Sequence, residues 1–209
     1  MRTLQFFYAS LGKMMRMVKR PLHSFITYCK FCVYCSEFHS FKTSGIPFVE
    51  VSWKNGGDIR LGNHLTLNNG MYNNQIGFGE TPCTLYASGA DIIIGRNVGM
   101  SQCALCAIKA NITIGDNTIL GGGVRVYSSD FHPINYRFRK SNVDNYEKMS
   151  SKPVEIGADC FIGAGSVILK GVSIGDRCVI GAGSVVTGNI PSDCIAAGNP
   201  CKVIKNITC

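Results

Sequence analysis

Ile156, Ile162, Ile168, Ile174, Ile180 and Val186 recur at every sixth position, a period that neither an isolated helix nor an isolated strand has. Four residues after each stands a small or apolar side chain: Cys160, Ser166, Val172, Cys178, Ser184 and Ile190. The tetrapeptide Gly-Ala-Gly-Ser occurs at 163–166 and again at 181–184, which is 18 residues or three hexads later. A six-residue period fits a triangular coil in which a short strand plus a turn makes each side. The aliphatic residue points inward on every side, and small residues permit the tight corners. Three sides close one turn of a parallel β-helix, and stacked turns bury one continuous core.

The same signature runs from about residue 57 onward in GDIRLGNHLTL (57–67), ADIIIGRNVGM (90–100), ANITIGDNTIL (110–120), KPVEIGADCFI (152–162) and KGVSIGDRCVI (170–180). Its Leu-Gly or Ile-Gly anchors fall at Leu61, Ile94, Ile114, Ile156 and Ile174, in steps of 33, 20, 42 and 18 residues. A step of 18 is one turn and 36 is two; the step of 20 implies a small bulge. The step of 42 reads as two turns plus an inserted loop, which is the polar, aromatic stretch 127–152. An insertion of that size on a regular solenoid is usually functional.

Residues 1–45 differ from the coils, which occupy 46–207. Apolar Phe6, Phe7, Met14, Met17, Leu22, Phe25, Ile26 and Tyr28 alternate with basic residues, the pattern of one or two amphipathic helices. Such a segment either caps the open core of the first coil or docks on an anionic membrane. The formal net charge is +8, and six of the basic residues lie in 1–36 with no acidic one. The rest of the chain is therefore close to neutral. With 45% hydrophobic and 16% charged residues the chain is not of the disordered class. No apolar run is long enough to span a bilayer, and the start does not read as a signal peptide, so the expected location is cytoplasmic. A peripheral contact with the inner face of the cytoplasmic membrane is the alternative to capping. Eleven cysteines are too many, and odd in number, for a disulfide framework in such a chain. Cys29, Cys32 and Cys35, with His39 following, match the spacing of a metal or iron–sulfur site, but the favoured reading is one face of a helix on which cysteine serves as a small hydrophobe.

The hexads, the motif VYSSDFHPI (126–134) and the ending IGAGSVVTGNIPSDCIAAGNPCKVIKNI (180–207) resemble the hexapeptide-repeat acyltransferases. Within that family the chain is most similar to bacterial sugar O-acetyltransferases of capsule, exopolysaccharide and lipopolysaccharide. The resemblance implies an all-β fold, a left-handed parallel β-helix with the N-terminal helical segment and an inserted catalytic loop. It further implies a homotrimer with sites shared between subunits, acetyl-CoA as co-substrate with no permanently bound cofactor or metal, and a sugar or glycan acceptor.

Acetyl transfer from a thioester to an alcohol needs a base for the hydroxyl, a donor for the oxyanion and two reactants held in line. Of the four histidines, His23 and His39 lie outside the repeat and His64 sits in a hexad corner. His132 lies in the inserted loop and matches the family's catalytic histidine. An imidazole there suits a general base near neutral pH. Asp130 either orients that ring, binds the acceptor or caps the loop; Glu147 lies in the same loop and is a second acceptor-side candidate. Ser101 is the nearest match to the asparagine with which the galactoside branch contacts its acceptor, a departure that weakens the case for a galactoside. The family's acetyl-CoA contacts carry over to Ala164, Ala182, Thr187 and Lys202, with Gly188 where the family often has a lysine.

Three other readings stay open. The acceptor is a different small molecule (an amino sugar, serine or a xenobiotic), or the solenoid is a non-catalytic scaffold. A γ-type carbonic anhydrase needs three converging histidines, and only His64 and His132 lie in the repeat. No nucleic-acid-binding motif is present.

Overall fold

The hexads build a left-handed parallel β-helix of three sheets. The computed structural model describes residues 21–69, 81–140 and 146–207. The first coil carries β1 (Phe41–Thr43) and β2 (Phe48–Val51), and its third side is the bridge of Glu37 to Arg60. Four full coils follow. They are β3 (Asp58–Leu61), β4 (Leu65–Asn68) and β5 (Thr84–Ser88); β6 (Asp91–Ile94), β7 (Gly99–Ser101) and β8 (Ala104–Ile108); β9 (Ile112–Ile114), β10 (Ile119–Leu120) and β11 (Arg125–Tyr127); and β12 (Val154–Ile156), β13 (Phe161–Ile162) and β14 (Val167–Ile168). The next coil is β15 (Ser173–Ile174), β16 (Val179–Ile180) and β17 (Val185–Val186). The chain ends in β18 (Cys194–Gly198) and β19 (Cys201–Asn206).

Every third strand pairs in parallel. Sheet 1 is β3-β6-β9-β12-β15, sheet 2 is β1-β4-β7-β10-β13-β16-β18-β19, and sheet 3 is β2-β5-β8-β11-β14-β17. At the end of the chain β18 pairs with β16, two strands back, because the intervening side is only the bridge of Ile174 to Ile190, and β19 runs antiparallel to β18. All six hexad aliphatics from Ile156 to Val186 are buried, and so are the six side chains four residues after them. Cysteine is used here as a small core residue. Burial pushes the Cys160 thiol up to about 11 and does the same in direction for Cys178.

The anchor register corrects the turn count. Leu61 stands opposite Ile94, Ile94 opposite Ile114, Ile114 opposite Ile156, and Ile156 opposite Ile174. Each step is therefore a single turn. The 42-residue step is one turn with a longer insertion, not two turns plus a loop. The 33-residue step hides a further insertion, between β4 and β5. Inserted chain leaves and re-enters at a corner without disturbing the coil-to-coil pairing, so residue spacing alone counts turns wrongly.

The corners have distinct chemistry. Between sheets 1 and 2, His64, Asn97, Asn117, Asp159, Arg177 and Asp193 all take left-handed backbone conformations, with φ of 60, 56, 57, 56, 55 and 60°. Asn and Asp tolerate that region better than other side-chain-bearing residues. Their side chains link the coils: Asn97 Nδ2 donates to Asn117 Oδ1 and Asn117 Nδ2 to Asp159 Oδ1, both at 3.0 Å. His64 belongs to this corner series, its Nδ1 lying 3.1 Å from Ser40 Oγ. Between sheets 2 and 3 the corners are the small triplets 121–123, 163–165 and 181–183. They stack backbone to backbone, with Gly165 N–H donating to Gly122 O and Gly183 N–H to Ala164 O, both at 2.8 Å.

Residues 21–34 form helix α1. Its Phe31 is fully buried in the apolar cluster of the coils, 5.0 Å ring to ring from Phe41 and 5.6 Å from Phe38. Lys30 Nζ donates to Pro47 O at 2.9 Å. This stretch thus covers the open end of the first coil. Residues 1–20, which hold most of the expected amphipathic pattern, lie outside the described residues.

A methyl group added at Gly163 meets the backbone nitrogen of Ala182 at 2.4 Å, whereas one at Gly188 meets nothing. Gly163→Ala is expected to cost about 1–3 kcal/mol through forced backbone movement. Gly188→Ala is expected to be neutral or to stabilise by about 0.4–1 kcal/mol. Urea unfolding of both variants checks the contrast.

Candidate active site

The large insertion leaves sheet 3 after Tyr127 and is closed at its root by backbone bonds. Lys152 N–H donates to Ser128 O at 2.9 Å and Asp130 N–H to Ser150 O at 3.1 Å, and Ser129 bridges Ser151. Ser128 is buried, and its Oγ accepts from Ile108 N–H at 2.8 Å, which ties the root to the preceding coil. Farther out, Tyr146 OH donates to Ser88 O at 2.9 Å. The short helix α2 (Tyr136–Arg139) is capped by Asn135, whose Oδ1 accepts from Arg137 N–H at 3.0 Å. Residues 141–145 of the loop lie outside the described residues.

His132 is exposed at the start of this loop, with Pro133 buried behind it. Phe131 just before it has φ 62°, an unusual backbone conformation for an aromatic residue and one that turns the chain sharply. Two contacts hold the turn. Phe131 N–H donates to Ser129 Oγ at 3.2 Å, and its ring meets Tyr127 edge-on at 5.1 Å. Asp130, on the other side of the turn, is only partly exposed. Lys170 Nζ donates to its Oδ1 at 2.7 Å. Lys170 follows β14, whose Ile168 stands opposite Val126, so it lies one coil beyond the loop root.

Glu147 is drawn elsewhere. Its Oε2 is 3.5 Å from Lys109 Nζ, which also donates to the carbonyls of Tyr146 and Glu147. Ser101 ends β7 on sheet 2, where its Oγ accepts from Asn68 Nδ2 at 3.1 Å and its carbonyl accepts from Gly123 N–H at 2.9 Å. Ser101, Ala164 and Ala182 therefore share the edge between sheets 2 and 3. His132, Asp130 and Thr187 belong to the opposite edge of sheet 3. Thr187 directly follows β17 and is exposed. Lys202 stands in β19 opposite Ala197, also exposed. The residues named from the sequence thus fall on two edges of the prism within one chain. Lys170 was not among them; its pairing with Asp130 spans 40 positions in sequence.

Among the described residues no three His, Cys, Asp or Glu side chains are grouped to hold a metal ion. Cys29 and Cys32 face solvent on α1, while burial pushes the Cys35 thiol up to about 12. Among the same residues no helix is long and apolar enough to cross a membrane.

Residues 153–188 match the family model described as the hexapeptide repeat of succinyl-transferase. That stretch of the chain carries the hexapeptide repeat. The chain is 40% identical over 126 residues to galactoside O-acetyltransferase of Escherichia coli K12, a match covering 60% of this chain and 59% of that one. It is 40% identical over 115 residues to nodulation protein L of Rhizobium meliloti, covering 55% and 60%. The chain thus spans about three fifths of the length of these relatives. The crystal structure of the polySia-specific acetyltransferase NeuO superposes with a TM-score of 0.51 and 26% identity, over 80% of this chain and 82% of that one.

Proposed function

We propose that the protein transfers the acetyl group of acetyl-CoA to a hydroxyl of a sugar or glycan acceptor in surface-polysaccharide synthesis. His132 is the general base. A neutral ring nitrogen removes the acceptor's hydroxyl proton as the oxygen attacks the thioester carbonyl. The tetrahedral intermediate then expels the CoA sulfur, which takes the proton back from the imidazolium. The observation that carries this reading is the exposed His132 on a loop whose root is fixed by backbone bonds and by the Lys170–Asp130 pair. Relatives named for O-acetylation of a galactoside and of polysialic acid support the reaction class. Asp130, Ser101 and Glu147 are the acceptor-side candidates, with Asn68 supplying an amide beside Ser101. Ala164, Ala182, Thr187 and Lys202 are the acetyl-CoA contacts, the lysine meeting a CoA phosphate as a point charge. His132→Ala is expected to lower kcat for acceptor-dependent thiol release by about 10²–10⁴-fold while acetyl-CoA binding stays. Near-normal turnover would remove His132 from the mechanism.

A homotrimer completes the site in this reading. His132 and the small-residue corners lie on different edges of one chain, so a neighbour's edge is the natural partner for each loop. Sheet 2 also presents an outward stripe in register, Ile119 opposite Phe161 opposite Val179, with Ile119 and Phe161 exposed by 53% and 49%. Light scattering after gel filtration should give three chain masses for the native protein. Phe161→Glu should give one and lose most activity.

A peripheral contact with the cytoplasmic membrane is a further part of this reading, and α1 supports it. Its inner face is buried, yet Leu22, Phe25 and Val33 are exposed. The six basic residues of 1–36, without an acidic one, complement anionic headgroups. In vesicle flotation, replacing Leu22, Phe25 and Val33 by Glu should abolish binding to phosphatidylglycerol vesicles and leave the fold intact. Undiminished binding would discard the contact.

A further inference from the structure

We infer that Lys170 is a positioning residue for the base. Its ammonium fixes the Asp130 carboxylate at the root of the loop and leaves the second carboxylate oxygen, which has no hydrogen-bond partner among the described residues, to take a ring N–H of His132 when the imidazole turns inward. The inference rests on the role proposed for His132 and adds a residue that lies on a different coil.

Three observations lead to it. The first is the ion pair itself. Lys170 Nζ and Asp130 Oδ1 are 2.7 Å apart, with side-chain exposures of 22% and 27%, so both charges are largely withdrawn from water. An exposed ion pair is weak and mobile; a half-buried one with a short bond has a defined geometry. The second is the other oxygen. Asp130 Oδ2 is buried and has no hydrogen-bond partner among the described residues. A buried carboxylate oxygen without a donor loses its hydration for no return, so such an atom calls for one. The third is the turn at Phe131. Its φ of 62° is held by Ser129 Oγ and by the Tyr127 ring, and it sets Asp130 and His132 on the two flanks of one tight corner.

The plainer alternative is that Lys170 merely staples the loop. The root is already closed by the bonds of Lys152 to Ser128 and of Asp130 N–H to Ser150, and by the Ser129–Ser151 bridge. None of these uses the carboxylate. A staple also gives no reason to bury Oδ2 unpartnered. A carboxylate that holds an imidazole fixes which ring nitrogen carries the proton, and leaves the other as the base.

The test reads the ring directly. Long-range ¹H–¹⁵N spectra of the full-length protein at alkaline pH, with the imidazoles neutral, should show one tautomer for His132. Lys170→Met and Asp130→Asn should both return the tautomer mixture of a free imidazole, and Lys170→Arg should restore the single form. In steady-state kinetics Lys170→Met should lower kcat by about tenfold to a hundredfold with KM for acetyl-CoA unchanged, and Lys170→Arg should recover most of it. A tautomer mixture in the native protein, or a single tautomer that survives Lys170→Met, would overturn the inference while leaving the His132 reaction untouched. Conversely, a Lys170-dependent tautomer in a protein with no acceptor-dependent thiol release would keep the positioning role and discard the reaction.

Discussion

The backbone hydrogen bonds that pair the strands of this protein run from coil to coil, and each coil inherits its register from the one before. Gly157 N–H donates to Ile174 O and Gly163 N–H to Ile180 O, and the same step repeats up the stack. Close stacking leaves little room at the corners. Small triplets fill the edge between sheets 2 and 3, and side chains able to adopt a left-handed backbone fill the edge between sheets 1 and 2. The interior is a single column of Ile, Leu, Val and Cys side chains, and Phe31 of α1 closes its lower end.

Apolar side chains fill the inside of the coils, and the candidate site sits outside them, at a corner. The loop after Tyr127 departs without altering the pairing of β11 with β14, and the bonds at its root make it a fixed attachment. Rigidity below and one strained residue, Phe131, above are what present His132 to solvent. The flat corners on the opposite edge offer backbone rather than side chains, a surface suited to the flexible, amide-bearing arm of a coenzyme.

The fold was legible because hexads from Ile156 to Val186 leave few alternatives, and every inward position named from them is buried. The turn count was not, because Ile114 and Ile156 are one coil apart despite 42 residues between them. The loop and His132 could be picked out by composition, since 127–152 interrupts the pattern. Lys170 could not. Its place beneath the loop root depends on the corrected coil count, and with the wrong count it is one more lysine at a corner. The role of α1 was half legible: its apolar residues announce a buried face, but only the packing of Phe31 on Phe38 and Phe41 shows that face meeting the first coil.

The strand that ends the described chain runs the wrong way for a solenoid. Every other pairing in sheet 2 is parallel and could in principle be extended by another coil, or by another molecule's coil, without limit. β19 folds back on β18, and the outer edge it offers has the opposite polarity and the side chains of Lys202 and Lys205. A further parallel rung finds no matching template there. The reversal therefore leaves sheet 2 without a parallel edge at this end of the column, which works against the end-to-end stacking of columns into a fibre.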